Sequence, residues 1–211
     1  MPLRREIGKW RGISFEAAAW DGARAEVELS CVCMFTHEVT PGGPVGGLLH
    51  LDTALSGALT GLRRDGYFAA TAMETLLISR PPVGVAADAV LLVGLGDPAF
   101  WTVGASAQAA ATAMRTALQL NAKSAAFAPS VLDGGLTMDV TGGMPAAMMN
   151  AVLAVLDTQH RLVELGMAPQ PALERWGFDV GAERFENAAL SFETALSAAQ
   201  AARGRGSDLS R

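Results

Sequence analysis

Apolar positions recur along the chain with two different periods, and the switches between them predict its elements. Residues 13–20, Ile13-Ser-Phe-Glu-Ala-Ala-Ala-Trp20, read as a strand closed by a turn at Asp21-Gly22. Residues 25–35 begin with strict apolar/polar alternation and end almost continuously apolar, as in a strand entering a buried sheet position. Leu48, Leu51, Leu55, Leu59 and Leu62 then recur at three- and four-residue spacing. That spacing predicts one amphipathic helix, ended by Arg63-Arg64-Asp65-Gly66, with cations at its carboxyl end and glycine just beyond. Residues 75–79 form a short strand stopped by Pro81-Pro82, and 89–93 form an uninterrupted apolar strand of the kind covered on both faces.

The second half repeats the alternation. Val103, Ala107, Ala110, Met114 and Leu118 mark a helix, residues 124–128 a strand, and Met149, Leu153, Leu156, His160 and Val163 a longer helix. Pro145 suits that helix's first turn, where the missing N–H has no intrahelical acceptor. An apolar piece at 176–180 adds a last strand, and Phe185, Ala189, Phe192, Leu196 and Ala199 lie on one face of a final helix. Strands alternating with helices predict an α/β fold with a mainly parallel, helix-covered sheet. One domain over residues 1–203 is expected, with a flexible tail at 204–211.

Composition sharpens this picture at a few points. Half of the residues are hydrophobic and 18% are charged, which provides a sizeable core and rules out wholesale disorder. The formal charge of −5 argues against a general nucleic-acid surface, which needs clustered Lys and Arg. Arg4, Arg5, Lys9 and Arg11, like Arg203, Arg205 and Arg211 at the other end, read as solvated termini. No stretch reaches the ~20 apolar residues of a membrane span, and no amino-terminal signal is visible, so a soluble cytoplasmic protein is expected. Cys31 and Cys33 share one face of their strand and read as buried packing residues.

Candidate chemistry gathers at glycine-rich turns that precede helices. The first runs through Gly42, Gly43, Val45, Gly46 and Gly47, flanked by His37 and His50. The second is Gly94-Leu-Gly96-Asp97, and the third Thr141-Gly-Gly143. Backbone N–H groups at such turns cradle phosphates, and ligands in open α/β sheets favour the carboxyl ends of strands. Glycines also serve simply for turning, and Asp97 is placed to cap the helix that follows. The only lysines, Lys9 and Lys123, sit in no acidic cluster. No cofactor is implied.

Three blocks carry a family resemblance: Leu51-Asp-Thr-Ala-Leu-Ser-Gly-Ala-Leu-Thr-Gly-Leu-Arg-Arg-Asp-Gly-Tyr-Phe68, Glu74-Thr-Leu-Leu-Ile-Ser79, and Val90-Leu-Leu-Val-Gly-Leu-Gly-Asp97. In order and spacing they resemble the amino-terminal domain of leucyl aminopeptidases, over about residues 13–200. The resemblance implies a macro-domain-like fold, a three-layer α/β/α arrangement around a mixed, mainly parallel sheet, that bears no catalytic residues. In that family the metals are bound in a carboxyl-terminal domain beside an Asn-Thr-Asp-Ala-Glu-Gly-Arg segment, and no such segment occurs in these 211 residues. Residues 42–50 are also similar to the Gly-Gly-Gly-Val-x-Gly-Ala-Ile-His stretch with which macro domains hold the diphosphate of ADP-ribose. That likeness implies that Gly43, Val45 and Gly46 line a phosphate pocket. The Asn-rich segment that precedes it in ADP-ribose binders is replaced here by Phe35-Thr-His-Glu-Val-Thr40. Three readings stand open. The first is a non-catalytic domain acting in binding or assembly, with a second copy or a protein partner. The others are a nucleotide-binding module and a subunit or fragment of a metal-dependent peptidase.

Overall fold

In the computed structural model, which describes residues 3–20, 23–38, 46–131, 135–137 and 141–208, the apolar runs assemble into one seven-stranded sheet. Its strands are β1 (Arg4–Trp10), β2 (Ile13–Ala18), β3 (Leu29–Phe35), β4 (Thr75–Ile78), β5 (Ala89–Gly96), β6 (Ser124–Ala128) and β7 (Arg175–Asp179), in the order β1-β2-β7-β6-β3-β5-β4. The five central strands are mutually parallel, and the two edge strands are antiparallel to their neighbours. The helices are α1 (Gly46–Ala54), α2 (Ala58–Arg64), α3 (Val103–Gln119), α4 (Met144–Glu164) and α5 (Phe185–Asp208), with a 3-10 turn at Pro98–Phe100.

Side-chain alternation along the strands builds the three layers. From β3, Cys31, Cys33 and Phe35 enter the core beneath α3, α4 and α5, while Val32 and Met34 enter the core beneath α1 and α2. Both cysteines are fully buried, and that burial pushes their thiols well above the usual range, leaving packing as their role. The α/β class and the mainly parallel, helix-covered sheet are as the periodicity predicts, and the three layers and the mixed sheet are as the resemblance implies.

Two elements differ from the sequence expectation. The amino-terminal residues form an edge strand rather than a solvated end. Arg4 pairs with the buried Glu16 at 2.7 Å, and Arg5 pairs with Glu193 of α5. Only Ile7 in residues 4–9 is apolar, so an edge strand held by charge leaves no hydrophobic signal. The expected single helix over 48–62 is two helices. Ser56 (φ 57°) and Gly57 (φ 79°) turn left-handed between them. The Asp52 carboxylate then accepts the N–H groups of Leu59 (2.9 Å) and Thr60 (3.1 Å) and the Thr60 hydroxyl, satisfying the start of α2. The leucine stripe survives the break because Leu48, Leu51, Leu55 and Leu59 all enter the same core.

The stripe of α5 is wholly used within the domain. Phe185, Ala189, Phe192, Leu196 and Ala199 are buried, and Phe192 stacks on Phe178 of β7 at 4.0 Å between ring centroids. The helix continues through Asp208, past the Gly204 at which a tail was expected. No helix among the described residues is long and apolar enough to cross a membrane.

Candidate functional site

The chain offers two places where a partner could dock. The first is at the carboxyl ends of the parallel strands, where the sequence reading puts phosphate binding. There β3 and its neighbour β6 send their connections to opposite faces: β3 leads to α1 on one side and β6 to α4 on the other. In open α/β sheets such a divergence is where ligands tend to bind. Gly46, exposed and left-handed at φ 57°, opens α1, with Gly47 next to it. Gly42, Gly43 and Val45, the remainder of the expected loop, lie outside the described residues. His37 is exposed beside this end of β3, with its ring 5.9 Å from that of Phe35.

The second glycine turn is built differently. Segment 70–74 crosses directly over the end of β5, and Gly94 is what lets it do so. A Cβ on Gly94 would lie 2.1 Å from the Thr71 carbonyl oxygen. Gly94 donates its N–H to Glu74 (2.8 Å) and accepts from Met73 (2.9 Å), while Gly96, at φ 76°, donates to Ala70 (3.0 Å). Both glycine N–H groups are therefore engaged inside the protein. Asp97 does act as a cap, accepting from Ala99 at 2.8 Å, but on the 3-10 turn; α3 is capped by Thr102.

Glu74 holds the crossing segment in shape. Its carboxylate accepts the N–H groups of Ala69 and Thr71 and the Thr71 hydroxyl. The Ala69 N–H first, then those Thr71 bonds and the nearby Arg63 charge, keep its pKa below the usual range. Arg63 in turn donates to Phe68 (3.0 Å) and to Thr36 (2.6 Å), tying α2 to the end of β3. Burial pulls the guanidinium pKa down, against the opposing charges of Glu74 and Glu38. Asp52, Arg63, Glu74 and Gly94 come from the three resemblance blocks, and each has a structural role: Asp52 at the start of α2, Arg63 between α2 and the end of β3, and Glu74 and Gly94 where segment 70–74 meets β5.

The second place was not foreseen from the sequence. A groove of about 920 Å3 runs over the outer surface where α3 and α4 pack, floored by Ala107, Ala111, Ala151 and Ala154. Apolar side chains remain exposed beside one end of it: Leu120 (45%), Leu165 (50%) and Met167 (73%). Arg115 is the one charged side chain in its lining. The available signal was the width of the apolar band on α3. Its buried face is Ser106, Ala109, Ala110, Ala111, Ala113, Met114 and Ala117, yet the half-buried Val103, Ala107 and Leu118 extend the apolar band beyond that face. Among the described residues, no three His, Cys, Asp or Glu side chains are grouped to hold a metal ion.

Fold and strand-end geometry together define a macro-domain-like α/β protein, and solved structures agree. The chain superposes on a mutant of tomato leucine aminopeptidase with a TM-score of 0.62 at 17% identity, covering 92% of this chain and 37% of that one. A Trypanosoma brucei macrodomain gives a TM-score of 0.60 at 16% identity, covering 91% and 71%. The Oceanobacillus iheyensis macrodomain with ADP gives 0.55 at 14% identity, covering 93% and 96%. Residues 37–136 match the cytosol aminopeptidase family, N-terminal domain. A probable cytosol aminopeptidase of Acidobacterium capsulatum is 34% identical over a 142-residue alignment that covers 63% of this chain and 27% of the relative. Over residues 37–136 the chain is thus similar to the amino-terminal domain of the cytosol aminopeptidase family, and it spans about a quarter of that relative's length.

Proposed function

We propose that this domain is a protein-docking module that contributes binding or assembly and no peptidase chemistry of its own. The groove between α3 and α4 carries this reading. It is a concave, mainly apolar surface on the outside of the helical layer, with exposed Leu120, Leu165 and Met167 beside one end. Apolar surface gathered in this way marks an interaction site, because scattered exposed side chains would leave no continuous trough. A photo-crosslinking residue at position 154, on the groove floor, should give a discrete adduct in cells that produce the protein. The same residue at position 187, exposed on α5, should give none. Equal labelling at the two positions would defeat the reading.

A second reading rests on the divergence of the connections after β3 and β6, with the left-handed Gly46 opening α1. A nucleotide diphosphate bound near the start of α1 would fit this topology, and the fold likeness to a macrodomain with ADP is consistent with it. Titration calorimetry against ADP-ribose, NAD and ATP tests it directly. Absence of heat and of thermal stabilisation with all three would remove it.

A further inference from the structure

The groove between α3 and α4 has a chemical bias that narrows what can fill it. Its floor is made of small side chains, and between Ala107 and Gln119 it follows α3 for about 18 Å, roughly three helical turns. Two helices lined with alanine let a third backbone approach closely. Arg115, the single charge in the lining, is exposed and makes no hydrogen bond or ion pair among the described residues.

We propose that the occupant is an amphipathic helix of a separate protein, laid along α3 and α4 with a carboxylate against Arg115. This rests on the docking reading above and specifies its partner. A covering helix takes the guanidinium out of water, and a buried unpaired cation is costly, so the covering surface must bring an anion. Helix-in-groove recognition supplies both parts, with apolar anchors at i, i+3 or i+4 and i+7 and a fixed acidic position between them.

Other occupants fit less well. A second copy docked groove to groove about a two-fold axis would set two concave surfaces together, with the two Arg115 side chains approaching each other. The helices among the described residues are also committed, since the main apolar faces of α1, α2, α4 and α5 are buried against the sheet. Nucleic acid or an anionic membrane would require several cations where the lining has one.

The test uses a display library of helical peptides, randomised over one face, selected on the whole chain. Retained peptides should share an apolar stripe at helical spacing and one Asp or Glu. They should bind Arg115→Glu at least about tenfold more weakly, and selection on Arg115→Glu should return Lys or Arg at the same position. Retained peptides with no acidic preference, or with equal affinity for Arg115→Glu, overturn the proposal. Ala154→Trp, at an exposed floor position, separates this failure from that of the underlying reading. If Ala154→Trp abolishes binding while Arg115→Glu does not, the groove is a docking site and the carboxylate requirement falls. If neither substitution matters, or nothing is retained, both fall. Concentration-dependent dimerisation lost in Ala154→Trp would replace the partner with a second copy and overturn the proposal. Unchanged melting temperatures show that both variants are folded.

Discussion

Gly94 and Gly61 illustrate how little a glycine's place in the sequence says about its purpose. At Gly94 the backbone of residues 70–71 passes so close that a Cβ would overlap the Thr71 carbonyl. We therefore expect Gly94→Ala to cost about 3 kcal/mol or more, because only backbone movement could relieve the overlap. Gly61 sits inside α2 with nothing within 4 Å of an added Cβ. Gly61→Ala should stabilise by about 0.5–1 kcal/mol through helix propensity alone. Urea denaturation midpoints of the two variants, read against the parent, check both signs together. A Gly-x-Gly after a strand looks the same whether it cradles a phosphate or admits a crossing chain. What separates the two roles is the partner of each N–H, and here Glu74 and Ala70 supply the acceptors. The partner segment lies about 20 residues away along the chain, beyond the reach of local pattern.

Among the elements, α5 is attached at both ends in different ways. Its first half packs through Phe185, Phe192 and Leu196, and its second half through a polar knot around Asp157 of α4. That carboxylate accepts from Trp10 (3.0 Å), Arg11 (2.6 Å) and Arg203 (3.0 Å), and both guanidinium groups lie within 6 Å of the Trp10 ring centre. Partial burial raises the Asp157 pKa, but the hydrogen bonds from Arg11, Arg203 and Trp10 outweigh it, so the net shift is downward. A carboxyl whose folded pKa is depressed adds stability above its unfolded value, near 4, and loses it as pH falls through the folded value. Asp157→Asn should therefore cost about 1–2 kcal/mol at neutral pH and remove part of the stability loss seen below about pH 4. Urea midpoints of parent and variant at pH 7 and pH 3 should converge at the lower value. If they stay equally far apart, the knot is not electrostatic. The α5 stripe was legible because five apolar residues repeat at helical spacing. The edge strand β1 was not, since what fixes it is Glu16, Glu193 and Asp157 elsewhere in the chain.

For the whole molecule, the alternation of buried strands and helices followed from period and the layering from the family resemblance, whereas the sites followed only in part. The divergence between β3 and β6 belongs to the topology of a parallel sheet, and strand ends as ligand sites could be anticipated from alternating strands and helices. The groove left only the width of the apolar band on α3 as its signal, because it is a property of two packed helices whose alanines read as core in the sequence. The same distinction bears on activity. A two-metal hydrolytic centre needs several carboxylates converging on open space. Four carboxylates here are already engaged in other work: Glu16 with Arg4, Asp52 with the start of α2, Glu74 with residues 69–71, and Asp157 with its three donors. Among the described residues, no three possible ligands converge. We therefore expect the purified 211-residue chain, supplied with manganese or zinc, to release no ammonia from leucine amide above a buffer control. If chelator-sensitive hydrolysis persisted through repeated purification and vanished in Asp52→Ala or Glu74→Ala variants that still fold, those side chains would have chemical roles. The docking reading would then have to yield to a catalytic one.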